Sequence, residues 1–75
     1  MKQVEVKGKQ LKCVVKATDT GAEGVFYKLC HRDQQRFLRF TTYPYATFEA
    51  GVEHARKYIK EVEDLSDAEV QETTL

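Results

Sequence analysis

On both sides of Gly8 the chain alternates apolar and polar residues. Val4 and Val6 precede the glycine and Leu11, Cys13 and Val15 follow it, with Glu5, Lys7, Lys12 and Lys16 at intervening positions. Period-two alternation flanking a glycine specifies a β-hairpin with one buried face, and a chain that begins this way must cover that face with something downstream. Gly8-Lys9 suits a two-residue type II′ turn, which takes glycine at its first central position. That turn sets Lys7 opposite Gln10, Val6 opposite Leu11 and Val4 opposite Cys13, apolar on apolar throughout.

The cover is supplied near the other end. Phe48, Val52, Ala55, Ile59 and Val62 recur at steps of three and four, one apolar stripe along a helix. Thr47 is placed to cap that helix and Glu49 to complement its dipole. Gly51 falls beside the stripe, where a missing side chain lets a helix approach a sheet. Between hairpin and helix, residues 18–24 read as a loop by composition, and two further strands follow. Val25, Tyr27, Leu29 and His31 form the expected core side of the third strand, roughly Val25–Arg32. Asp33-Gln34 then turns into a fourth strand, Arg36–Thr42, with Leu29 opposite Leu38 and Tyr27 opposite Phe40. Tyr43-Pro44-Tyr45 is expected to end that strand, because proline donates nothing to a ladder.

The expected fold is therefore α+β: a four-stranded antiparallel β-meander with one C-terminal helix packed on one face, ββββα. Residues 1–65 form the domain, and 66–75 form a flexible acidic tail. Seventy-five residues allow one domain with a small core. No apolar run approaches the roughly 18–20 residues of a membrane span, so no membrane partner is expected. The opening MKQVEVKGK lacks the pattern of a secretory signal.

Chemistry-bearing motifs are scarce. Cys13 and Cys30 fall on opposite faces in this register, which predicts free thiols and fits a reducing, cytoplasmic setting. The spacings of Cys13, Cys30, His31 and His54 match no structural zinc motif, so neither metal nor cofactor is expected. A Cys13–His31 dyad would lie beneath the helix, where a thiol is inert packing. The chain is expected to bind rather than to catalyse.

The face opposite the helix carries the functional expectation. In this register it displays Lys12, Lys16, Phe26, Lys28, Arg32, Phe37 and Arg39, with Tyr43 at its margin. Lys28 would sit directly across from Arg39, an arrangement of like charges that weakens a sheet. Cations interleaved with rings suit DNA or RNA: ammonium and guanidinium groups meet phosphates while rings stack on bases. In architecture alone, a β-meander with a packed helix is similar to the sheet-in-groove DNA-binding domains of AP2 type and of some phage integrase arms, although the aromatic and glycine signature of those domains is lacking. The alternative is a protein interface, an inhibitor, adaptor or homodimer, centred on Phe26 and Phe37. The zero net charge conceals a division: residues 1–60 carry twelve basic and six acidic side chains, and residues 61–75 carry six acidic and none basic. The acidic end either solubilises the chain, screens the basic sheet as a competitor in cis or contacts a basic partner.

Overall fold

The computed structural model describes residues 2–30 and 36–75. It is α+β, with five strands rather than four: β1 (Gln3–Lys7), β2 (Leu11–Thr18), β3 (Gly21–Leu29), β4 (Phe37–Tyr45) and β5 (Gln71–Thr74), and one α-helix, α1 (Phe48–Glu63). All pairings are antiparallel, in the order β4-β3-β2-β1-β5. The expected turn at Asp33-Gln34 lies outside the described residues, as do His31 and Arg32. No helix among those described is long and apolar enough to cross a membrane.

The first hairpin keeps its faces but not its register. Val6 pairs with Cys13, Val4 with Val15 and Lys7 with Lys12. The turn is Lys9-Gln10, closed by the Gly8 N–H donating to the Leu11 carbonyl at 2.8 Å. Each expected pairing moves by two residues, and a shift of two preserves which side every residue faces. The turn moves because α1 holds it. The Glu63 carboxylate accepts the backbone N–H groups of Lys9, Gln10 and Leu11 at 3.0, 2.7 and 3.1 Å. Gly8 has no left-handed backbone angle to satisfy; its role is close approach. A Cβ there would collide with the Glu63 carboxylate and come within 2.6 Å of Ile59.

The third strand is where the expected pattern fails. Asp19-Thr20 is a tight turn, and Thr18 pairs with Gly21, so most of the expected loop is strand. That turn sets Cys13 opposite Phe26 and Val15 opposite Gly24. Cross-strand partners share a face, so Ala22, Gly24 and Phe26 lie under α1, while Val25 and Tyr27 face the open side. Phe26 is 0% exposed. Small residues at 22 and 24 let the helix settle, and Phe26 fills the wider space beyond them. At Gly51, on the helix, a Cβ would stand 2.9 Å from Val15 and 3.0 Å from Tyr45. The core comprises Val6, Leu11, Cys13, Val15, Ala22, Phe26, Ala55, Ile59, Leu65 and Val70.

Strand β4 runs through Pro44 to Tyr45, which is tolerated because β4 is an edge strand. A bulge interrupts its pairing opposite Phe26 and Tyr27: Phe26 meets Thr41 and Tyr27 meets Arg39, leaving Phe40 as the extra residue. Thr47 caps α1 as expected, accepting from the Ala50 N–H at 3.1 Å, and Asp64 ends it in the left-handed region at φ 54°.

The acidic end is not a loose tail. Leu65 and Val70 are buried, and β5 pairs with β1, placing Val4 opposite Thr74 and Lys7 opposite Gln71. Its charges are met by α1 and the first turn: Lys60–Asp67 at 2.8 Å, Arg56–Glu72 at 3.3 Å and Lys9–Glu69 at 3.7 Å. The hydrogen bond from Lys60 holds the Asp67 carboxyl below its usual range. Glu69 is lowered by the Ser66 N–H, donated at 2.9 Å, and by the Ser66 hydroxyl. Groups with depressed folded-state pKa values stabilise above the ordinary carboxylate range, and that contribution is lost as pH falls through the folded value. Lowering the pH from about 5 to about 3 should therefore loosen residues 66–74 ahead of the rest of the sheet. Amide protection measured residue by residue across that range checks this; simultaneous loss of β5 and β2 would refute it.

Candidate functional site

The residues expected on one face are divided between two. Lys12, Lys16, Phe37 and Arg39 do lie on the open face. Phe26, Lys28 and Tyr43 lie on the helix side, because Asp19-Thr20 reverses the phase of β3. Arg32 is outside the described residues. Lys28 pairs with Leu38 rather than Arg39, and the expected like-charge contact is replaced by another: Lys7 directly opposite Lys12.

That pair belongs to a row across the open face formed by Lys7, Lys12, Tyr27 and Arg39 on successive strands. The Lys7 and Lys12 ammonium groups lie 5.4 and 4.6 Å from the Phe37 ring centre, and Lys12 also lies 5.2 Å from Tyr27. Each contact offsets part of the repulsion between the cations. Glu5 approaches Lys12 at 3.6 Å, and Glu23, opposite Lys16, adds a second negative charge to this face. With Lys28 gone and Glu23 present, the open face is less basic than the sequence pattern implied.

The helix side presents a different surface. α1 crosses mainly over β2, β3 and β1, leaving the outer part of β4 uncovered. Leu38, Phe40 and Tyr43 on β4 are 46, 48 and 42% exposed, and Val62 on α1 is 58% exposed. Phe40 and Tyr43 border the buried Phe26 ring, and Val62 lines a groove with Phe40, which together define the α1–β4 margin. The buried Phe26 ring packs at 5.1 Å from Tyr58, 5.7 Å from Tyr43 and 6.2 Å from Phe40. His54 stands 5.7 Å from Tyr43, and its Nδ1 pairs with the Tyr45 hydroxyl at 2.6 Å. On α1 the steps His54, Tyr58 and Val62 are i, i+4 and i+8, a second stripe flanking the buried one. Val62 was expected within the core stripe; it belongs to this flank because Ala55 and Ile59 already fill the contact with the sheet.

A groove of about 740 Å³ opens between this flank and β4. Leu11, Phe40, Tyr58 and Val62 supply its apolar lining, and Lys9, Gln10, Lys28 and Glu63 its polar lining. Tyr58 was not singled out by sequence, and Phe40, expected opposite Tyr27, is instead the exposed bulge residue. The available signals were the offset stripe 54-58-62 and the excess of rings on β4.

Cys13 offers no nucleophile. Burial pushes Cys13 up to about 12, so it stays protonated near neutrality. Burial also raises Tyr45 to about 12, with smaller contributions from Cys13 and Tyr43. Both cysteines are free. Opposite faces are not the reason: Cys30 lies four residues beyond Phe26, the cross-strand neighbour of Cys13, about 13 Å along the strand. The Cys13–His31 pairing set aside from the sequence extends outside the described residues. Among the described residues no group of three or more His, Cys, Asp or Glu side chains is placed to hold a metal.

No family model matches this chain, and neither a curated protein nor a solved structure shows significant similarity to it.

Proposed function

We propose that this chain is a non-enzymatic protein-binding module whose contact surface is the margin between α1 and β4. The observation that carries this reading is the exposure of Phe40 and Tyr43 around the buried Phe26 ring, with exposed Val62 lining the same groove as Phe40 and exposed Leu38 on the same side of β4. A contiguous apolar patch costs solubility unless a partner covers it, and aromatic anchors over a firm core are what protein contacts exploit. The bulge at Phe40 and the proline at 44 blunt the backbone edge of β4, so recognition falls to the side chains rather than to strand addition.

Affinity purification with wild-type, Phe40→Ser and Phe37→Ser chains as baits tests this, followed by binary binding with purified partners. Phe40→Ser should weaken binding by about 2 kcal/mol or more, whereas Phe37→Ser should leave it intact. Loss confined to Phe37→Ser would place the contact on the open face. Self-association is read in the same set by sedimentation, where a homodimer of the 8.7 kDa chain would be disrupted by Phe40→Ser.

A second reading is favoured by the Lys7–Lys12 pair. A sheet that sets two lysines directly opposite each other, with Arg39 in the same row, suits an anionic ligand such as DNA or RNA. Electrophoretic shifts at low salt with duplex and single strands test it. Binding should fall steeply with salt and vanish in Lys12→Glu and Arg39→Glu, while Lys28→Glu, on the other side of the sheet, should retain it. No shift with either form of nucleic acid would end this reading.

A further inference from the structure

We infer that the α1–β4 groove takes a short acidic peptide segment of a partner, its apolar side chains on Phe40, Tyr58 and Val62 and its carboxylates at Lys9 and Lys28. This rests on the protein-binding reading and specifies the partner's chemistry. The groove's charges are unequal in availability. Glu63 is its acidic member, and three backbone N–H groups already occupy that carboxylate. Lys28 is exposed and makes no ion pair among the described residues. The Lys9 ammonium meets Glu69 only at 3.7 Å, with both side chains well exposed, a contact of small energy that a closer carboxylate can displace. What remains for a ligand is an apolar lining with two accessible cations among it.

Shape selects a peptide over a free amphiphile. The groove is open along its length, whereas small-molecule sites bury most of their ligand. Its helical wall, from Tyr58 to Glu63, spans about 7.5 Å. That length matches about one and a half turns of a partner helix presenting apolar residues at i and i+4, or about two residues of extended chain. Acidic residues flanking such anchors would meet Lys9 and Lys28, while basic ones would be repelled.

Selection from a random twelve-residue peptide library on the immobilised full chain, counter-selected on Phe40→Ser, tests the inference. Enriched peptides should combine two or more large apolar residues with net negative charge. Synthesised and titrated by fluorescence anisotropy, they should bind Lys9→Glu/Lys28→Glu more weakly by about tenfold or more, since each exchanged charge both loses an attraction and adds a repulsion. Both lysines are exposed, so the double variant should fold, and circular dichroism checks this. Enriched peptides that depend on Phe40 but are neutral or basic, or that ignore the double charge reversal, would overturn the acidic partner while leaving the margin as the contact surface. Failure to enrich any peptide that distinguishes wild type from Phe40→Ser would overturn the inference. Partners from the bait experiment that still depended on Phe40 would then keep the margin reading standing.

Discussion

Phe26→Ala should unfold this protein or leave it melting near ambient temperature. Phe26 is the largest of the fully buried side chains, packed beneath α1 against Tyr58 and beside Tyr43. Truncating a buried phenylalanine costs about 3–5 kcal/mol in lost transfer energy and residual cavity. A domain of this length holds roughly 4–11 kcal/mol in total, and small single-core domains tend toward the lower figure. One substitution thus removes a large share of the stability. Phe37→Ala, on the open face beneath Lys7 and Lys12, should cost about 1 kcal/mol or less. Thermal melts of the two variants by circular dichroism give the comparison. A wild-type melt for Phe26→Ala would mean that this ring faces solvent, as simple alternation along β3 implies.

The second large effect is expected at the C-terminal end of the helix. Gly8→Ala should destabilise by about 2–3 kcal/mol, combining overpacking against Ile59 and Leu65 with displacement of the Glu63 carboxylate from its three N–H donors. Glu63→Ala should cost a comparable amount, because it leaves the same donors without their charged acceptor. The two losses share one contact and should not add. With Glu63 truncated, a methyl at position 8 loses its nearest obstacle, so the double variant should be more stable than the sum of the singles predicts. Denaturant titration of the four chains measures the coupling. Strict additivity would show that Glu63 is not what holds the turn to the helix.

These two sites also show how far the sequence is legible. The first hairpin's inward and outward residues read correctly because a register change of two leaves the faces unchanged. The helix's start at Thr47 and most of its buried stripe read correctly, since cap and apolar spacing agree, whereas Val62 lies on the exposed flank. The turn position did not, because its cause is Glu63, more than fifty residues away in sequence and brought close only by folding. Strand β3 misled because Val25, Tyr27 and Leu29 alternate like a core stripe, although the close crossing of α1 selects Ala22, Gly24 and Phe26. The discriminating signal was the tight turn at Asp19-Thr20, which fixes parity by counting. Strand β5 had little to announce it: Gln71–Thr74 is entirely polar, and its anchors, Leu65 and Val70, lie outside the strand.

For the candidate site the same parity decides everything. Moving Phe26 inward and Lys28 across the sheet thins the basic face and builds the aromatic margin from residues that the pattern had divided. The acidic end changes role as well. It closes the β1 edge and pairs with Arg56 and Lys60, with a weaker, exposed contact to Lys9, so its charges lie away from the Lys7–Lys12–Arg39 row.

The α1–β4 margin is where we propose that this protein makes contact. A ¹⁵N–¹H correlation titration of the labelled chain with a partner identified by the baits addresses it residue by residue. Perturbation concentrated at Leu38–Tyr43 and along His54–Val62, with the amides of Lys7, Lys12 and Lys16 unmoved, is the predicted result. Shifts concentrated on Lys7, Lys12, Tyr27 and Arg39, with Phe40 and Tyr58 silent, would contradict it.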